Sequence, residues 1–236
     1  MATINRLYFY RLAFGLLILV WSALVTLDFL RHTNPTAQGQ AGTISMVYGY
    51  AKRPYVYRTL APTIVRLLTS AVPQDLRLLI KNSASQALQK TYLELSTKDP
   101  FQDSEQDFST EYLIAALLEY ISLLAFLAAL VYLALGLYDL EEILVMLIPC
   151  IALLVLPPFW DNFVWNKIYD FPTLFLFTAS LGLMARGRWT LYLLSFVLAS
   201  LNKETSILLT IPFLAYFAAK AACPECFFSE FSGCKF

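Results

Sequence analysis

The sequence predicts an all-α fold: a polytopic transmembrane helix bundle of about six spans, with an insertion of amphipathic helices after the first span. Three observations carry this. The 236 residues are 58% hydrophobic, with mean hydropathy +0.61. Charged residues make up only 14%, against roughly 25% in an ordinary soluble domain. The apolar residues are gathered into six runs separated by polar or charged breaks. Basic and acidic residues balance at 17 each, so no net field points to nucleic acid. Aromatics reach 15%, which suits belts at membrane interfaces.

The first run, Leu7–Leu30, is long enough to cross a bilayer with some tilt. Arg6 and Arg11 stand at its start and Asp28 at its end. No small-x-small cleavage site precedes Asp28, so the run reads as a retained anchor rather than a leader. Residues 31–110 form a polar insertion with its own pattern. It holds the aromatic and basic YGYAKRPYVY over 48–57 and a short apolar segment from Thr63 to Val72, with Pro62 in its first turn and Pro73 at its stop. That segment is too short to span and is expected at the interface. Gln74–Leu95 repeats apolar residues at helical spacing, with Arg77, Lys81 and Lys90 on the other face. The stretch from Lys98 to Glu111 is acidic and reads as an exposed loop.

Glu111–Tyr138 is the second span, with Glu119 inside it as a charged exception. A turn at Asp139–Glu142 leads to the third, Ile143–Leu156, which Pro157-Pro158 is expected to end. A polar-aromatic loop, FWDNFVWNKIYD, fills 159–170. Phe171–Ala185 is the fourth span, opened by Pro172 and closed by the basic turn Arg186-Gly187-Arg188. Trp189–Leu201 and Ser206–Ala219 are two apolar runs around Asn202-Lys203-Glu204-Thr205. Residues 1–220 are thus one transmembrane domain, and 221–236 are a tail carrying Cys223, Cys226 and Cys234. Those cysteines present half of a zinc-site spacing and no more, and no metal site is assigned.

Short cytoplasmic loops collect Lys and Arg. Arg6 and Arg11 therefore place the N-terminus in the cytoplasm, and Arg186 and Arg188 fall on the same side when spans are counted. Asp28, the insertion, Trp160-Asp161, Tyr169-Asp170 and Lys203-Glu204 then all meet at the outer face. Charges inside an apolar run are costly, about 3 kcal/mol each at a helix centre, and mark function more often than accident. Lys203 and Glu204 are accordingly expected to face Arg58 and Asp28 across a cavity.

Each candidate has a chemical and a plain reading. Asp28 is either a general base or an interfacial acid. Arg58, with Lys52 and Arg53 nearby, is either a phosphate clamp or a snorkelling cation. Tyr57, Trp160 and Trp165 fit an aromatic belt, and aromatics also stack on sugars or isoprenoid chains. Asp161 and Asp170 are partly structural, Asp170 as a cap on the helix at Phe171. Lys203 and Glu204 are either a neutralising pair in a turn or parts of a site. No glycine-rich phosphate loop, serine nucleophile elbow or HExxH is present.

Three short stretches carry a resemblance. Tyr57-Arg58-Thr59-Leu60-Ala61-Pro62 looks like a YR-x-L-x-P motif after a first span. Tyr169-Asp170-Phe171-Pro172-Thr173-Leu174 is similar to a YD-x-x-x-L helix opening, and Leu201-Asn202-Lys203-Glu204-Thr205 to LN-R-E-T with lysine for arginine. Together they resemble the GT-C-type multi-spanning membrane glycosyltransferases of bacteria, in a version with fewer spans than is usual. The resemblance implies transfer of a sugar from a polyprenyl-phosphate donor to an acceptor outside the cytoplasm, in the inner membrane. It implies Asp28 as base, and the other residue of the catalytic pair, Glu204, is expected to orient Lys203 or Arg58. Arg53, Tyr57, Arg58, Trp160, Asp161, Asp170 and Lys203 would hold substrate. No organic cofactor is implied, and some related enzymes use a divalent metal. The alternative is a non-catalytic scaffold or lipid-binding subunit of a larger complex, in which Asp28, Arg58 and Glu204 need not converge. A small transporter is a third reading, without an inverted repeat to support it.

Overall fold

The computed structural model describes residues 2–33, 43–51, 53, 55–82, 108–162 and 168–222. They are mostly helical, with no strand among the described residues. The helices are α1 (Ala2–Thr33), α2 (Thr43–Val47), α3 (Leu60–Ala71), α4 (74–82), α5 (Ser109–Leu137), α6 (Glu142–Asn162), α7 (Asp170–Ala185), α8 (Trp189–Asn202) and α9 (Thr210–Ala222), with 3-10 turns at Tyr55–Tyr57 and Glu204–Leu209. Two stretches are long and apolar enough to cross a membrane: Arg11–Leu30 within α1, and α5. The remaining apolar helices are shorter. The far half of the expected Gln74–Leu95 helix, most of the acidic loop and the cysteine tail lie outside the described residues.

Apolar side chains face outward and small polar ones inward. Leu12, Leu16, Val20, Leu24 and Leu27 of α1 are exposed, as are Leu193, Leu194 and Val197 of α8. Ser22, Thr26, Ser122, Thr178, Ser180 and Ser195 are buried. Small hydroxyl residues let helices approach closely while satisfying their own polar groups. Ser180 on α7 donates to Ser195 on α8 at 2.9 Å, and the Thr26 hydroxyl returns to the Ser22 carbonyl at 2.9 Å.

The helices are aligned so that residues expected on one side of a membrane share one end. At one end, Arg11 of α1 pairs with Glu142 of α6 at 2.7 Å. The turn after α7 lies at this same end, where the Arg186 guanidinium rests 4.1 Å over the ring of Tyr132 on α5. That turn follows from Gly187, whose φ of 66° is open to glycine at little cost. Gly187 N–H bonds the Met184 carbonyl and Arg188 N–H the Leu183 carbonyl, closing the last α7 carbonyls in a Schellman arrangement.

α7 packs most extensively on α5. Their approach depends on Gly182: a β-carbon there would stand 2.8 Å from Tyr132 Cδ1 and 3.5 Å from the Leu133 backbone. Gly182→Val is therefore expected to destabilise the fold by about 1–3 kcal/mol through overpacking, which thermal unfolding of the purified chain checks. Exposed Gly15 has nothing within 4 Å of such an atom, so Gly15→Val should leave this contact intact.

Two expected boundaries move. Pro157-Pro158 does not end the third apolar helix, since α6 runs on to Asn162. Proline removes its own N–H but holds a helical φ, so the final turn is carried by the donors after it. The loop expected over 159–170 is correspondingly shorter. The last apolar run opens as the 3-10 turn Glu204–Leu209 before α9 begins.

Candidate functional site

The end of the bundle opposite Arg11 and Glu142 is built around Tyr169, just before α7. Its ring belongs to a core cluster with Met46, Val47, Ala61, Val65 and Ile114, which joins the insertion to α5. Two residues on, Phe171 sits in the cluster of α1, α5 and α6, with its ring 4.6 Å from Phe29. Leu176 reaches the third cluster, with Ala199 and Leu209. The first turn and a half of α7 is thus fixed on every side, and it holds a polar group in place.

Asn202, the last residue of α8, is fully buried. Its amide donates to the Tyr169 carbonyl at 2.9 Å and to the Thr173 hydroxyl at 2.8 Å. Lys203 then takes an extended conformation, breaking the helix inside its apolar run. Ser206 closes the break by donating to the Ala199 carbonyl at 2.9 Å. From the other side, Thr59 N–H bonds the Leu201 carbonyl at 3.1 Å, docking the start of α3 on the end of α8. Asn202→Ala is expected to lose about 1–3 kcal/mol of stability, since it removes both amide bonds at a buried position. A melting comparison with wild type measures it.

The charged side chains follow from these anchors. Arg58 grips Glu204 in bidentate fashion, Nε to Oε2 at 3.0 Å and Nη2 to Oε1 at 2.5 Å. It also donates from Nη1 to the Tyr169 hydroxyl, and its guanidinium lies 4.4 Å from the Tyr169 ring and 5.2 Å from that of Tyr55. Lys203 pairs with Asp170 at 2.8 Å and lies 5.2 Å from the same Tyr169 ring. Two cations therefore bracket one tyrosine, each held by one carboxylate. The two pairs differ in one respect. The Arg58 side chain is 11% exposed and Glu204 is 54% exposed, so a fixed cation faces a carboxylate that water can reach.

The hydrogen bond from Arg58 holds the Glu204 carboxyl below the usual carboxylate range, outweighing partial desolvation. Burial pulls Arg58 down, but the Glu204 hydrogen bond and charge attraction leave it net raised. Burial, and then the charge of Asp170, push the Tyr169 phenol up, so it stays protonated. A carboxyl lowered in the folded state contributes stability that is full above its unfolded pKa and is lost as pH falls through the folded value. Wild type and Glu204→Gln should therefore differ in melting temperature at pH 7 and converge as pH falls through the lowered Glu204 value. The difference stays within about 1 kcal/mol, because Glu204 is half exposed.

The three stretches expected to form a site meet here. Arg58, Asp170, Lys203 and Glu204 are brought together, but by direct contact and not across a cavity. Asp170 is the first residue of α7, and its carboxylate accepts from Lys203. Asp28 is half-buried on the last turns of α1, next to Phe29, which packs on Phe171. Arg53 and Tyr57 stand apart: Tyr57 is exposed, and its ring lies 5.7 Å from the Arg53 guanidinium rather than against Arg58. Trp160 and Asp161 are in the last turn of α6, and their side chains lie outside the described part of the structure. Tyr169, Asn202 and Thr173 were not among the expected site residues. Glu119 gains a setting too. It is 1% exposed, and from α5 it faces the first turn of α7, beside Asp170 and the Phe171 N–H.

Among the described residues no group of three or more His, Cys, Asp and Glu is placed to hold a metal ion. Asp170 and Glu204 are each engaged by a cation, so this donor set does not suit a divalent ion. Compared with known protein families, curated proteins and solved structures, the chain gives no match.

Proposed function

We propose that the chain is a six-span membrane glycosyltransferase of GT-C type, with its N-terminus in the cytoplasm of a bacterial cell and the Tyr169 cluster at the outer face. The observation that carries this reading is the bidentate grip of nearly buried Arg58 on half-exposed Glu204, beside Lys203. A guanidinium fork fits phosphate as it fits carboxylate. The phosphate of a polyprenyl-linked sugar displaces Glu204 and takes the fork. The outward-facing leucines of α1 and α8 support a lipid setting, and through it a lateral approach for the prenyl chain.

In the reaction, an acceptor hydroxyl oxygen attacks the anomeric carbon as the bond from that carbon to the phosphate oxygen breaks. The hydroxyl proton passes to Asp28. The electron pair stays on the departing phosphate, where Arg58 and Lys203 stabilise it. Glu204 orients the Arg58 fork between turnovers.

The test is purified, reconstituted protein supplied with polyprenyl-phosphate sugars and a hydroxyl acceptor, with release of polyprenyl phosphate as the readout. Absence of turnover with every donor supplied would favour the non-catalytic scaffold. Span count and orientation are checked separately. Single cysteines placed at 188 and 203 should react with an impermeant reagent from opposite sides, and labelling from one side removes the six-span topology.

A further inference from the structure

A second polar site lies away from the Tyr169 cluster, where α3 ends, α4 begins and α5 makes its first turn. A cavity of about 130 Å³ opens there, lined by Thr69, Arg77, Leu78, Lys81, Thr110 and Glu111. It has room for about four waters, which is small for a sugar and ample for a small charged group. Both signs of charge are present. Arg77 is held by Nε to the Val72 carbonyl at 3.1 Å and by Nη2 to the Thr69 carbonyl, which leaves Nη1 as a donor with no hydrogen bond among the described residues. Lys81 is exposed beside it. On the other wall Glu111 is buried, with one carboxylate oxygen taking the Tyr48 hydroxyl at 2.6 Å. The Thr69 hydroxyl is buried and has no partner among the described residues. The N-cap residue of α5, Phe108, makes no side-chain capping bond, and the first turn of the helix supplies Thr110 and Glu111.

We propose that this cavity binds a zwitterionic group that joins a phosphate to a primary ammonium, the headgroup chemistry of phosphatidylethanolamine. The cations Arg77 and Lys81, with the unpartnered Thr69 hydroxyl, take the phosphate. Glu111 takes the ammonium, and Tyr48 keeps that carboxylate in place. A purely anionic ligand meets the buried Glu111 charge and is disfavoured. A quaternary ammonium lacks the N–H donors that a buried carboxylate requires. Leu78 is the one apolar side chain among the described residues of the lining, and it suits the carbon atoms between the two charges. The inference shares the membrane setting with the function proposed above and does not depend on sugar transfer.

The experiment reconstitutes the full chain in vesicles of phosphatidylethanolamine, phosphatidylcholine and phosphatidylglycerol in equal parts with identical acyl chains. Lipid retained on extraction is read by native mass spectrometry. Phosphatidylethanolamine should be enriched about tenfold over each of the others. Thr69→Val and Lys81→Gln should each reduce that enrichment several-fold, and Glu111→Gln should bring phosphatidylethanolamine level with phosphatidylcholine. Lys81 is exposed, so its variant reports even where Glu111→Gln fails to fold. A second arm titrates soluble phosphoethanolamine and follows the melting temperature. A shift there with no lipid enrichment assigns the same chemistry to a soluble ligand. Equal retention of all three lipids without that shift, preference for phosphatidylglycerol, or enrichment unchanged by Lys81→Gln and Thr69→Val overturns the proposal.

Discussion

Arg58→Ala is expected to lower sugar transfer by about 10²–10³-fold, the usual effect of removing one donor aimed at developing charge. The guanidinium is the least exposed cation of the cluster and the only one with two bonds to a displaceable carboxylate. Its loss removes the fork that a phosphate would occupy and leaves the Tyr169 hydroxyl without the donor it has now. Some destabilisation follows, so activity must be compared at a temperature where both proteins are folded. Arg58→Lys separates charge from geometry. Lysine keeps a positive charge but offers no planar fork, so it should restore folding more fully than turnover. Equal turnover in wild type, Arg58→Lys and Arg58→Ala would show that no phosphate passes through this position.

The sequence made the outline of this arrangement legible, and the reasons differ by element. α1 and α5 are readable because each contains a long, nearly unbroken apolar run of the length that crosses a bilayer. The break at Lys203-Glu204 is readable because adjacent charges in an apolar run are rare. Pairing was harder. Asp170 looks like a cap in sequence, since its partner Lys203 is 33 positions away and no local pattern links them. Tyr169 looks like core, and it is core; its ring is buried while its hydroxyl and ring face serve two cations. Asn202 was hidden by the charges that follow it. Its signal was present as an uncharged amide at the end of an apolar helix, where burial requires partners. Glu119 could be recognised as anomalous but not placed, because the helix end it faces comes 51 residues later. The continuation of α6 past two prolines had no signal, since a tandem proline reads as a stop unless the rest of the turn is supported elsewhere.

Asp28→Asn is the substitution expected to act on chemistry with the least effect on structure. Asparagine matches the size and shape of aspartate and cannot accept the acceptor proton at neutral pH. The local fold does not rest on the carboxylate alone. Phe29, the next residue, is buried among Leu123, Leu127 and Leu153 and meets Phe171, which fixes the end of α1 against the start of α7. The variant should therefore melt close to wild type. Turnover should fall by about 10²–10⁴-fold, the span that general base catalysis contributes. The donor phosphate is assigned to Arg58 and Lys203, so the loss should appear in kcat with KM for the lipid-linked sugar little changed. Arg58→Ala acts on leaving-group charge and should alter kcat and KM together. Combining the two should cost less than the product of the single effects, because base and clamp serve one transition state. If Asp28→Asn turns over like wild type while Glu204→Gln does not, the base is Glu204 once phosphate has displaced it. Arg58 would then be gripping, in the resting protein, the group that it releases for catalysis.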